Sequence, residues 1–165
     1  MIPGEVIAVL TFPGVMIHEL AHKIFCQNSG VPVYKVCYFR IGNPAGYVLH
    51  GPVYSYGAAF LISVAPFIVN SSLAFVIFLL AVNISMSIGQ YGLYWLGVSI
   101  AMHSFPSSGD ADSLWNYSKA AWRATPWALI GFPLVILIKI ANVLSVVWFD
   151  LFYGIGLLML ATALL

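Results

Sequence analysis

The stretch Phe12-Pro13-Gly14-Val15-Met16-Ile17-His18-Glu19-Leu20-Ala21-His22-Lys23-Ile24-Phe25-Cys26 is apolar except where it carries two imidazoles, a carboxylate and a lysine. Together with the apolar residues from Gly4 onward it is long enough to cross a bilayer core of about 30 Å, which takes roughly 20 helical residues. The rest of the chain agrees. Of its 165 residues 62% are hydrophobic and 7% charged, against about 25% charged in a soluble domain, and the mean hydropathy is +0.99. Too few polar groups remain to cover a water-facing surface, so lipid is the solvent for most of the molecule. A soluble enzyme is excluded, and so is a disordered chain. A net charge of +1 with no basic stripe gives no electrostatic footprint for nucleic acid. Cys26 and Cys37 are read as structural thiols. The segment Met1 to Val6 has no positive n-region and no A-x-A-like site follows, so the first apolar stretch is expected to be a retained helix.

Two further apolar runs follow. Tyr56 to Ser104 contains no Asp, Glu, Lys or Arg; it is too long for one crossing and right for two, with a break expected near Asn83 to Gln90. Trp127 to Leu165 is interrupted by Lys139, Asn142 and Asp150, which leaves two short passes or one pass with an interfacial segment. Lys139 and Asp150 are read as interfacial anchors or a pair. Val31 to Ile41 and Tyr47 to Leu49, joined by the turn Gly42-Asn43-Pro44-Ala45-Gly46, predict a β-hairpin. Ser104 to Pro126 predicts a loop and an interfacial helix anchored by Trp115, Tyr117 and Trp122. The expected architecture is an all-α membrane protein: a polytopic transmembrane helix bundle with a three-helix catalytic core, one or two C-terminal helices, and a small membrane-associated β-hairpin. One domain over residues 1–165 is expected, its core at about 4–115 and its C-terminal helices at about 127–165. Lys23, Lys35, Arg40, Lys119 and Arg123 fall on one side, which the positive-inside rule makes cytoplasmic. The polar end of the first helix and the aspartate-bearing loop after the third then share that side.

His18-Glu19-Leu20-Ala21-His22 is an H-E-x-x-H pattern. Imidazoles at i and i+4 lie on one helical face and can hold one Zn²⁺, with the glutamate placed to act on water bound there. Ionisable residues at the bilayer centre cost about 2.5 to 3.5 kcal/mol each on insertion scales, so three in five residues demand a compensating partner. Catalytic zinc takes three protein ligands. No Glu follows Glu19, and Phe25 and Asn28 occupy the places where the extended motif needs Gly and His. His50, His103, Asp110, Asp112, Asp150 and the two cysteines remain, and the topology favours the aspartates of the loop at 104–113.

These residues resemble the site-2 protease family of intramembrane zinc metalloproteases, and within it the small zincin-like membrane peptidases. The likeness rests on His18 to His22 in the first core helix, on Ala65-Pro66-Phe67-Ile68-Val69-Asn70, which is similar to a G-P-x-x-N element, and on His103-Ser104-Phe105-Pro106-Ser107-Ser108-Gly109-Asp110-Ala111, which is similar to an Asn-x-x-Pro…Asp-Gly element. The resemblance implies zinc held by His18, His22 and Asp110, the last chosen over Asp112 because the small Ala111 follows it. It implies that Glu19 takes a proton from a zinc-activated water and returns it to the leaving amine. His103, standing where the family has Asn, is expected to bond the oxyanion or to steady a ligand; His50 is read as structural. Pro13 is expected to bend the first helix and open the site. The implied function is hydrolysis of transmembrane or membrane-bound protein or peptide substrates, in the cell membrane with the active site nearer the cytoplasm. The hairpin would present an unwound substrate strand. The alternative from another class is a non-proteolytic membrane protein that binds or transports zinc or protons.

Overall fold

The computed structural model describes residues 4–84 and 87–164. Among these it has seven α-helices and one two-stranded antiparallel sheet.

The first apolar run is not one straight helix. It divides into α1 (Gly4–Leu10) and α2 (Phe12–Asn28), bent by 88° at Thr11. The reason is local. Pro13 has no N–H to continue the ladder, and Gly14 N–H turns back to Thr11 O at 3.0 Å, so the Leu10 carbonyl is left without a helical donor. Trp95 Nε1 supplies one at 3.0 Å. The expected bend is therefore present, placed two residues before the proline. At Gly14 the backbone of α2 presses on the backbone at Ser99 so closely that a Cβ would strike Ser99 O.

Next come β1 (Val33–Cys37) and β2 (Tyr47–His50), with Lys35 opposite Leu49, Val36 opposite Val48 and Cys37 opposite Tyr47. β1 is shorter than the alternation over Val31 to Ile41 predicts, while β2 runs one residue past the expected Leu49. Residues 38–46 form a longer connection that folds back on α2.

α3 (Tyr56–Val82) starts at the Ser55 N-cap, whose hydroxyl accepts from Ala58 N at 3.2 Å, and α4 (Ile88–Met102) returns antiparallel to it. The break expected at Asn83 to Gln90 falls between them, with Ser85 and Met86 outside the described residues. Small side chains, Ala74, Ala81 and Ala101 among them, are fully buried where these helices meet, as close packing without a water-driven hydrophobic force requires. Large apolar side chains such as Leu80, Leu137, Val143 and Phe152 point outward.

α5 (Ser108–Ala121) packs against the first half of α3 through Tyr56, Ala111 and Leu114. A 3-10 turn (Pro126–Ile130) reverses the chain into α6 (Gly131–Leu144), and a second (Ser145–Val147) leads to α7 (Phe149–Ala163). α6 packs against α5 in the cluster that includes Tyr56, while α7 lies along the second half of α3 through Tyr153 and Ala161. Trp148 makes the junction in the left-handed conformation (φ 65°). Tyr56–Val82 and Pro126–Val147 are each long and apolar enough to cross a membrane, and α1 with α2 would make a third span if the bent pair counts as one.

Candidate metal centre

His18, Glu19 and His22 lie on α2, and Asp110 at the third position of α5 comes to meet them. His22 Nε2 stands 3.2 Å from His18 Nε2 and 3.4 Å from an Asp110 oxygen; His18 Nε2 is 3.9 Å from the other. Ligands about 2.1 Å from a tetrahedral zinc lie about 3.4 Å apart, so these separations are those of a zinc site.

The tautomers agree. His22 Nδ1 faces the Ile62 carbonyl at 3.0 Å, and His18 Nδ1 faces the His103 carbonyl at 2.8 Å. A carbonyl can only accept, so both Nδ1 atoms carry hydrogen and donate. Two Nε2 lone pairs and a carboxylate then converge on one point, which requires a cation there, either a proton on His22 or a divalent ion. The residues fit zinc.

Both orienting carbonyls are orphans of helix geometry. In α3 the Ile62 carbonyl would accept from residue 66, but residue 66 is proline and has no N–H. The vacated acceptor goes to His22. The His103 carbonyl lies just past the end of α4, where helices leave carbonyls unpaired. It takes His18 and also Asn70 Nδ2, at 3.0 Å. Asn70 is fully buried and further donates toward Gly14 O and Ile100 O, joining α2, α3 and α4 at one point.

Asp110 is held by a capping box: its Oδ2 accepts from Ser107 N at 2.8 Å and from Ser107 Oγ at 2.7 Å, while its own N–H reaches Ser107 Oγ. Burial pushes its carboxyl up, but the bond and charge of His22, the charge of His18 and the Ser107 hydroxyl outweigh burial and hold it down at about 2.

Glu19 is buried, and its carboxylate receives no hydrogen bond from the described residues. The hairpin connection lies directly on it. A Cβ at Gly46 would sit 2.6 Å from Glu19 Cγ, so only glycine fits.

The four residues open on a cavity of about 810 Å³, which residues 43–48 and Asn142, Ser145 and Asp150 also line.

The other expected candidates lie elsewhere. Asp112 is exposed and pairs with Lys139 at 2.8 Å, so Lys139 does not pair with Asp150. His50 lines the cavity with its Nδ1 on Gly51 O. The His103 side chain places Nε2 2.8 Å from Thr11 Oγ1. Since that hydroxyl donates to Ile7 O at 2.7 Å, Nε2–H is the donor. The imidazole thus ties the end of α4 to the α1–α2 bend, and the residue meets His18 through its backbone oxygen. Gly46, and Pro66 through the carbonyl it frees, take roles that motif reading did not assign, while Asp150, one of the ligand candidates read from the sequence, lines the cavity without joining the cluster. A proline four residues after Ile62 was a visible sign of a free carbonyl, but its partner was not.

A family model described as "Putative zincin peptidase" matches residues 11–125. Neither the curated proteins nor the solved structures give a match. The matched stretch contains His18, Glu19, His22 and Asp110 and ends before the 3-10 turn that leads to α6.

Proposed function

The chain belongs to the "Putative zincin peptidase" family, and from that premise we propose that it is an intramembrane zinc endopeptidase of the site-2 protease type, cutting transmembrane or membrane-bound protein or peptide substrates. α1 with α2, α3 and α4 form its catalytic core in a polytopic bundle, and the site opens toward the cytoplasmic face of the cell membrane. What carries this reading is one arrangement: three ligand atoms converge beside a carboxylate that no protein group occupies, on a cavity that a strand also lines.

His18, His22 and Asp110 would hold the ion, which when bound supplies a Lewis acid able to acidify water and polarise a carbonyl. Glu19 takes a proton from the attacking water and returns it to the leaving amine. Its freedom from protein donors suits both steps. The Ile62 and His103 carbonyls keep each imidazole in the tautomer that offers Nε2. The serines at 107 and 108, with Ser63, Asn142 and Ser145 also on the cavity wall, give water a polar path to the site.

A helical substrate hides its peptide bonds in its own ladder and must be unwound first. β2, with one edge paired to β1 and the other unpaired among the described residues, borders the cavity at Tyr47 and Val48. It can take an extended segment as a third strand. Within the hairpin expected to do this, the cavity is bordered by β2 and not by β1.

The test is zinc content and cleavage of a model transmembrane substrate in proteoliposomes, for wild type, Glu19→Gln and His22→Ala. Stoichiometric zinc is expected in the first two and loss in the third. Cleavage should fall by about 10²- to 10⁴-fold in Glu19→Gln. A Glu19→Gln protein that cleaves at the wild-type rate would sink the proposal.

A further inference from the structure

The metal centre takes up only part of the cavity wall. Another part is built by the α6–α7 junction, beyond the family match. There Asp150 accepts a hydrogen bond from Leu151 N at 3.0 Å and faces no cation among the described residues. Asn142 Nδ2 is a buried donor without an acceptor among the described residues. Phe105, on the cavity wall, stacks 5.4 Å from Phe149 and 4.9 Å from Tyr153. The left-handed Trp148 just before Phe149 sets this junction, a conformation that a bulky residue keeps only when its surroundings enforce it.

The unmet demands are specific. A carboxylate without a counter-ion calls for a cation, aromatic rings beside it add to that preference, and an amide N–H₂ without an acceptor calls for a carbonyl. A peptide segment with a basic side chain satisfies all three. Such side chains flank the cytoplasmic ends of membrane-spanning segments.

Resting on the peptidase reading, we infer that the α6–α7 junction is a substrate subsite selecting Lys or Arg, with Asp150 as counter-ion and Asn142 as donor to the substrate backbone. The subsite discriminates by charge, so it sets where along a substrate the peptide bond meets the metal centre.

Binding separates this inference from catalysis. The probe is a dye-labelled apolar Leu/Ala peptide of about 20 residues carrying one Lys, stepped along the sequence, with norleucine at the same place as control. Affinity is measured on zinc-loaded, full-length Glu19→Gln protein in detergent. At one register the Lys peptide should bind about tenfold tighter or more. Adding Asp150→Asn should collapse that ratio toward one, and Asp150→Lys should turn the preference toward a Glu-bearing peptide. Asn142→Leu should weaken Lys and norleucine peptides alike. Zinc content of each variant verifies that the helices still assemble. Equal binding at every register, no binding of either peptide, or a Lys preference untouched by Asp150→Asn would overturn the subsite. A preserved preference in a wild-type protein that cleaves nothing would overturn the peptidase reading and leave the subsite standing.

Discussion

His18 and Asn70 share a single acceptor: the His103 carbonyl takes Nδ1–H of the first at 2.8 Å and Nδ2–H of the second at 3.0 Å. A buried amide in α3 thereby fixes the oxygen that orients a metal ligand in α2. Asn70→Ala should remove up to three buried hydrogen bonds that tie α2, α3 and α4 together, at about 1 to 3 kcal/mol of stability. It should also weaken zinc binding by about 10- to 100-fold. Thermal unfolding and chelator competition measure the two effects. Asn70→Asp, of the same shape but without the donor, should lose zinc affinity to the same degree; if it binds like wild type, the hydrogen bond is irrelevant to the metal.

Pro66 gives a test whose two readouts move in opposite directions. Pro66→Ala supplies the N–H that the Ile62 carbonyl lacks and mends the helix, so thermal stability should hold or rise. The same N–H competes with His22 Nδ1, so zinc affinity should drop by about tenfold. A fall in stability with zinc affinity intact would contradict this account of the proline.

Asp110 and Asp112 are two residues apart, yet only the first reaches the imidazoles. Asp110→Asn should abolish stoichiometric zinc. Asp112→Asn breaks a pair whose side chains are 63% and 54% exposed for Asp112 and Lys139, and should shift stability by less than about 1 kcal/mol with zinc retained. Metal analysis of the two purified variants decides it.

Gly46→Ala pushes a methyl group into the space of Glu19 Cγ. Zinc should stay, because no ligand moves, while cleavage should decline by about 100-fold, the usual effect of displacing a reacting group by about 1 Å. Unchanged kcat with normal zinc content would show that the hairpin does not touch the working Glu19.

Much of this was legible in the chain. The apolar runs marked where helices lie, but of the two crossings expected in Tyr56 to Ser104 only α3 is long and apolar enough, α4 having 15 residues. Spacing at i and i+4 put His18 and His22 on one face whatever else happened, since helical geometry is local. The Ser107–Asp110 capping box belongs to the same class, as both partners lie within one turn. Strand ends were less legible: alternation in Val31 to Ile41 runs past Cys37, where pairing with β2 stops.

Sequence by itself therefore determined a strongly apolar helical chain with a two-histidine face, because hydrophobicity and helical periodicity act between near neighbours. Tertiary structure alone decided that Asp110 meets those histidines while Asp112 turns to Lys139. It also decided that the carbonyl freed by Pro66 is taken by His22, and that Asp150 looks into the same cavity. Those outcomes depend on how α2, α3, α5 and the α6–α7 junction pack. Packing is settled by the simultaneous fit of side chains far apart in the chain, which no local pattern encodes.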